Sequence, residues 1–301
     1  MSGDPDEGWN GRPASRRDLL RLGGGLALSA FLAASCGGGG GEEVAPASTT
    51  AAPPTPAPTA ELALPAGPRQ PNDLVYVAVN DPPQDQFVLV QYAAGLARDF
   101  FFRQLGFYLD GPLTINVANL PALELHGATF LREGDRISTV TVNVGQATWE
   151  MEAPFERAKV VAHEYFHVLQ NWLRGSTDTA ADPLFLVEGA AEYAGYATVI
   201  DAGLSSWNDL RHGLEERLRN DRVTLPALDR LSDDGPLALS GYQLSALAID
   251  RLVGAAGVQP LARYALLRSR EQPPTAFELV FRRSLPDFYA EIAGWRQSSG
   301  L

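Results

Sequence analysis

The sequence predicts an α+β fold: a small N-terminal β-sheet with a helix, followed by a mostly helical C-terminal part. Three observations carry this. Apolar residues alternate on period two only before residue 145; apolar residues recur at helical spacing after Pro154; and residues that start or stop helices punctuate the second half. Leu74–Val79 (LVYVAV) reads as a short strand, and 86–105 has helical spacing. Leu113–Val117 and Ala128–Leu131 are β-like, and Thr139–Val144 alternates as a strand that Gly145 ends. Beyond Pro154, Val161, Tyr165, Val168 and Trp172 form an apolar stripe at i, i+4, i+7 and i+11, and Gly175 closes that helix. Pro183 opens the next helix with Asp182 as its cap. Later starts carry capping boxes, Ser240 with Gln243 and Thr275 with Glu278. Residues 73–301 make one domain of about 230 residues, within the usual range.

Two segments precede that domain. Residues 1–36 contain paired arginines, Arg16 and Arg17, ahead of an apolar stretch from Leu22 to Ser35. A membrane-spanning helix needs about 20 apolar residues, and this stretch is shorter and broken by glycine, so it reads as an export signal. The run Ser15-Arg16-Arg17-Asp18-Leu19-Leu20-Arg21 resembles the twin-arginine signal. Ala33-Ala34-Ser35-Cys36, with Leu32 ahead of it, resembles a bacterial lipobox. Cys36 is then a lipidation site that anchors an extracytoplasmic protein to the cell membrane; the plainer reading is a small residue inside a cleaved signal. Residues 37–72 are Gly, Ala, Pro, Ser and Thr almost throughout. They read as a disordered tether whose Pro-rich centre favours extended polyproline II.

Composition excludes several functions. The 301 residues carry 24 Lys plus Arg against 36 Asp plus Glu, a formal charge of −12, which rules against a nucleic-acid partner. One cysteine excludes a disulfide framework and any thiolate metal cluster. Lys159 is the chain's only lysine, and its histidines are His126, His163, His167 and His212.

Two of those histidines fall in His163-Glu164-Tyr165-Phe166-His167. On a helix, residues four apart share a face, so both imidazoles can converge on one cation. Glu164, rotated about 100° from His163, is close enough to reach a water on that cation. A catalytic zinc normally takes three protein ligands. The extended metzincin pattern is absent, because Gln170 and Leu173 stand where it needs Gly and His. A carboxylate must complete the set. The best candidate is Glu188 in Leu184-Phe-Leu-Val-Glu188-Gly-Ala-Ala-Glu192-Tyr193, because an unpaired carboxylate after four apolar residues would be costly. Gly189, Ala190, Ala191, Ala194 and Gly195 are small enough to let two helices approach closely.

HEYFH followed by LVEGAAEY resembles the gluzincin metallopeptidases, especially the peptidase MA-like group related to the aminopeptidase N family. The resemblance implies a zincin-like fold, Zn2+ as cofactor, His163, His167 and Glu188 as ligands, and Glu164 as general base. It also implies that Glu192 hydrogen-bonds the first ligand histidine, as an acid does in the thermolysin-like members. A surface carboxylate, or a swap of ligand role with Glu188, is the other reading of Glu192. Tyr242, near the head of its helix, corresponds to a tyrosine that donates to the transition-state oxyanion; an ordinary packing tyrosine is the alternative. The G-x-M-E-N motif of the aminopeptidases is absent from Gly145-Gln-Ala-Thr-Trp-Glu150, which favours an endopeptidase. The strand Thr139–Val144 would pair, as an edge strand, with an extended peptide or protein substrate.

The leading expectation is therefore zinc-dependent hydrolysis of peptide bonds by a membrane-tethered metallopeptidase. The competing one is a non-catalytic surface lipoprotein that keeps the fold for binding. A solute-binding lipoprotein leaves the histidine pattern unexplained. His126 and His212 receive no role.

Overall fold

The computed structural model describes residues 63–122, 127–131, 138–176, 179, 181–220, 226–231 and 239–301. The export signal, Cys36, the tether up to residue 62 and His126 lie outside the described residues.

The predicted α+β division holds. The elements run β1 (Leu74–Val79), α1 (Gln84–Leu105), β2 (Leu113–Ala118), β3 (Gly127–Leu131), β4 (Ser138–Asn143), α2 (Ala147–Met151) and α3 (Pro154–Arg174). A π-helical turn at Phe185–Gly189 leads into α4 (Ala190–Asp201). Next come α5 (Trp207–Asn220), α6 (Leu239–Val253), α7 (Gln259–Leu267), α8 (Pro273–Phe281) and α9 (Leu285–Ser299). The chain already packs ahead of the expected boundary at residue 73. Leu64 lies against the core, the Tyr108 N–H donates to the Pro68 carbonyl at 2.8 Å, and Asn72 is buried.

Four strands form one sheet in the order β1-β2-β4-β3. β1, β2 and β4 are parallel, and β3 runs antiparallel to β4. The strand expected to lie at the edge, β4, is therefore interior: β2 takes one side of its backbone and β3 the other. The edges are β1 and β3, and β3 lies beside α3. Leu113, Ile115 and Val117 of β2 and Val140 and Val142 of β4 point into the core on period two. There α1 and α3 meet through aromatics, with the Phe101 ring stacked 5.7 Å from Tyr165 and tilted against Phe166 at 5.4 Å.

Three expected caps move. Asp182 does not cap a helix. Its side chain is fully buried, accepting from Arg268 Nε at 2.6 Å and the Tyr264 hydroxyl at 2.7 Å, with Arg174 at 2.9 Å. Two guanidiniums and a phenol give the carboxylate stronger interior partners than one terminal N–H would. α6 begins at Leu239, so Ser240 sits inside its first turn. α8 begins at Pro273, whose ring presets the first helical φ, with Gln272 rather than Thr275 in the capping place. Ser284, not among the expected caps, caps α9 by accepting from the Asp287 N–H at 3.2 Å.

Candidate metal centre

The 21-residue helix α3 holds the HEYFH segment and delivers two histidines to one point. Pro154 starts it, and Gly175 (φ 70°) ends it with its N–H on the Asn171 carbonyl at 2.9 Å. Val161, Tyr165, Val168 and Leu169 are buried in the core. His163 and His167 leave from another face, with their Nε2 atoms 3.0 Å apart and their rings nearly perpendicular at 81°. Glu164 is buried as well, and its charge is felt by both histidines and by Tyr242.

Glu188 arrives from the π-helical turn. That turn fits an additional residue into a helical circuit, which re-aims the side chains it carries; such turns often occur at functional sites. Phe185 anchors it by stacking 5.6 Å from Phe288 of α9. Close helix contact depends on two glycines. A Cβ on Gly189 would come within 2.5 Å of the Ser245 Cβ on α6, and one on Gly195 within 2.7 Å of the Lys159 carbonyl on α3. With these approaches, Glu188 Oε2 lies 3.4 Å from His163 Nε2 and 3.3 Å from His167 Nε2. One ligand atom from each of His163, His167 and Glu188 lies within 4.8 Å of the others, so this group can hold a metal ion.

The outer partners of the histidines test that fit. Glu192, one turn beyond Glu188, places Oε2 3.0 Å from His163 Nδ1. Its other oxygen accepts from Lys159 Nζ at 2.7 Å, and Glu156 lies 3.8 Å from the same ammonium. Gln170 Oε1 lies 2.8 Å from His167 Nδ1. A carboxylate and an amide oxygen only accept, so each Nδ1 carries a proton and Nε2 is the nitrogen of each ring that faces inward. Two lone pairs and a carboxylate oxygen, all within 3.4 Å of one another, repel unless protons or a cation lie among them. The donor set fits a divalent metal.

The charges fit as well. Burial works against a charged His163 ring, but the bonds to Glu188 and Glu192 prevail and lift its pKa to about 10; His167 is lifted too. Burial likewise opposes ionisation of Glu192, yet Lys159 and His163 hold its carboxyl down at about 2. Glu188 is pulled below the ordinary carboxylate range against its burial, chiefly by His167. The Tyr242 ring lies 6.0 Å from that of His163. Burial, reinforced by the charges of Glu188 and Glu164, raises its hydroxyl well above the usual tyrosine value and keeps it a donor.

The sequence reading named His163, Glu164, His167, Glu188, Glu192 and Tyr242, and the fold gathers all six in one region; His212 lies apart, exposed on α5. It missed Gln170 and the role of Lys159. Each had a signal: Gln170 follows His167 by three residues, and Lys159 is a lone lysine one turn before His163 among apolar neighbours. No protein-family profile, curated protein or solved structure matches the chain.

Proposed function

We propose that the protein is a zinc-dependent hydrolase of peptide bonds, a gluzincin-type endopeptidase exported and tethered to the membrane. The observation that supports it best is the convergence of two Nε2 lone pairs and one carboxylate oxygen while both Nδ1 atoms are held by acceptors. His163, His167 and Glu188 would hold the zinc, which when bound polarises the scissile carbonyl and makes water nucleophilic at neutral pH. The Glu164 carboxylate takes the proton of the attacking water and passes it to the leaving amine nitrogen. The Tyr242 hydroxyl donates to the oxyanion that forms on the former carbonyl oxygen. The backbone of β3, paired on one side only among the described residues, offers N–H and C=O groups for an extended peptide lying along α3. No helix among the described residues is long and apolar enough to cross a membrane. The attachment in this reading is an acyl group on Cys36, each buried methylene of which contributes about 0.8 kcal/mol.

Glu164→Gln tests the mechanism. The variant should bind about one zinc per chain and lose turnover of a peptide library that the wild type cleaves. If the variant cleaves as fast as the wild type, Glu164 is not the base. Wild-type protein that binds zinc and cleaves nothing would favour the binding lipoprotein.

A further inference from the structure

We infer that Gln170 is a positioning residue that sets two of the three metal ligands at once. The inference rests on the metal-site reading above and extends it to a residue outside the ligand set. Gln170 is buried on α3, three residues after His167. Its amide nitrogen faces two backbone carbonyls of the π-helical turn, Leu186 O at 3.3 Å and Val187 O at 3.1 Å. Carbonyl oxygens only accept, so the amide can face them in one orientation, NH2 toward the turn. Its oxygen is thereby committed to the other side, 2.8 Å from His167 Nδ1. That oxygen needs a proton from the ring, which fixes the Nδ1–H tautomer and leaves Nε2 as the donor atom toward the metal.

The two carbonyls belong to the residues immediately before Glu188. A helical turn that adds a residue departs from the regular backbone pairing of its carbonyls, so a side-chain donor that reaches two of them fixes how the turn is set. Gln170 adds a side-chain donor to both carbonyls, Val187 O also accepting from the Ala190 N–H, and so ties down the turn that aims Glu188. The side chain therefore ties the ring of one ligand to the backbone of another. Its counterpart on His163 is Glu192, a carboxylate charged by Lys159, so the two histidines are oriented by different chemistry: one by an ion and one by a neutral amide.

The test is zinc affinity, measured on the metal-stripped full chain by competition with a chromophoric chelator. The visible spectrum of the cobalt-substituted protein is recorded beside it. Gln170→Glu keeps an acceptor for His167 but has no N–H for the carbonyls, and Gln170→Leu loses both halves. Each should weaken zinc binding tenfold to a hundredfold and change the cobalt spectrum. Val168→Ala, in the core on the same helix, should lower the melting temperature and leave zinc affinity unchanged. Zinc binding by Gln170→Leu equal to the wild type, or weakened as much by Val168→Ala, overturns the role of Gln170. Should the Gln170 variants fail to fold, nitrogen NMR of the wild-type zinc-loaded protein decides it. His167 Nδ1 should carry a slowly exchanging proton, and a rapidly exchanging one overturns the inference. A wild type that takes up no zinc removes both readings, and Gln170 variants that bind zinc as tightly as a zinc-binding wild type remove only this one.

Discussion

Replacing Lys159 with methionine removes one charge from beneath the histidine pair and keeps the length of the side chain. Lys159 is 8% exposed and Glu192 3%, with the ammonium 2.7 Å from the carboxylate and over the Tyr196 ring at 5.1 Å. Breaking a buried pair from one side leaves an uncompensated charge and costs about 3–5 kcal/mol. In a domain of this size each kcal/mol moves the melting temperature by about 2–4 °C, so Lys159→Met should melt about 6–20 °C lower. The assay is thermal unfolding with excess chelator, which keeps metal out of the comparison. Adding Glu192→Gln should recover part of the loss, because both charges are then gone. Acid adds a second readout. The folded pKa of Glu192, about 2, is below its ordinary 4.5, so its contribution is present above that ordinary value and is lost as pH falls through about 2. Without Lys159 the carboxyl rises, and acid unfolding should begin at higher pH. A single variant that melts within about 2 °C of the wild type at pH 7 would refute the reasoning, since half of one kcal/mol or so is what a solvated surface pair is worth.

Other outcomes follow from the same geometry. Because the pKa values of both ligand histidines are raised in the metal-free protein, zinc must displace at least one proton, and apparent affinity should rise at least about tenfold per pH unit between pH 7 and 9; competition titrations that show no pH dependence would contradict this. Glu188→Ala should cost zinc affinity by orders of magnitude, read by metal analysis after dialysis, and unchanged affinity would move the third ligand elsewhere. Tyr242→Phe should keep zinc stoichiometry and lower kcat on the order of 100- to 1,000-fold, the usual effect of losing one oxyanion donor; an unchanged kcat returns Tyr242 to packing. Gly189→Ala puts a methyl 2.5 Å from the Ser245 Cβ and 3.0 Å from its carbonyl carbon, where backbone must shift. It should destabilise by about 1–3 kcal/mol and loosen zinc binding, measured by melting and by competition.

Much of this was legible in the sequence because it is written locally. Period-two runs placed β1, β2 and β4 within a residue of where they lie, and a four-residue spacing put His163 and His167 on one face of α3. What was not legible depends on partners distant in the chain. The order of strands placed β4 inside the sheet, and alternation along one strand says nothing about its neighbours. Asp182 looks like a cap from its own dipeptide; Arg268, 86 residues away, makes it an interior anion. Gln170 sits in a helix that gives no local hint of the carbonyls it meets 16 and 17 residues later. Glu188 stood out by its apolar run, but the π-helical turn that aims it has no local sequence signature.

The lone lysine of the chain lies under the histidine pair, so a protease that cuts only after lysine has one target, and the folded domain hides it. Its single cut would split the polypeptide between residues 159 and 160, separating the sheet and α1 from the HEYFH segment. Digestion with such an enzyme is thus a single-cut, two-fragment gauge of how often the heart of the domain opens, and zinc should slow it in proportion to the stability it adds.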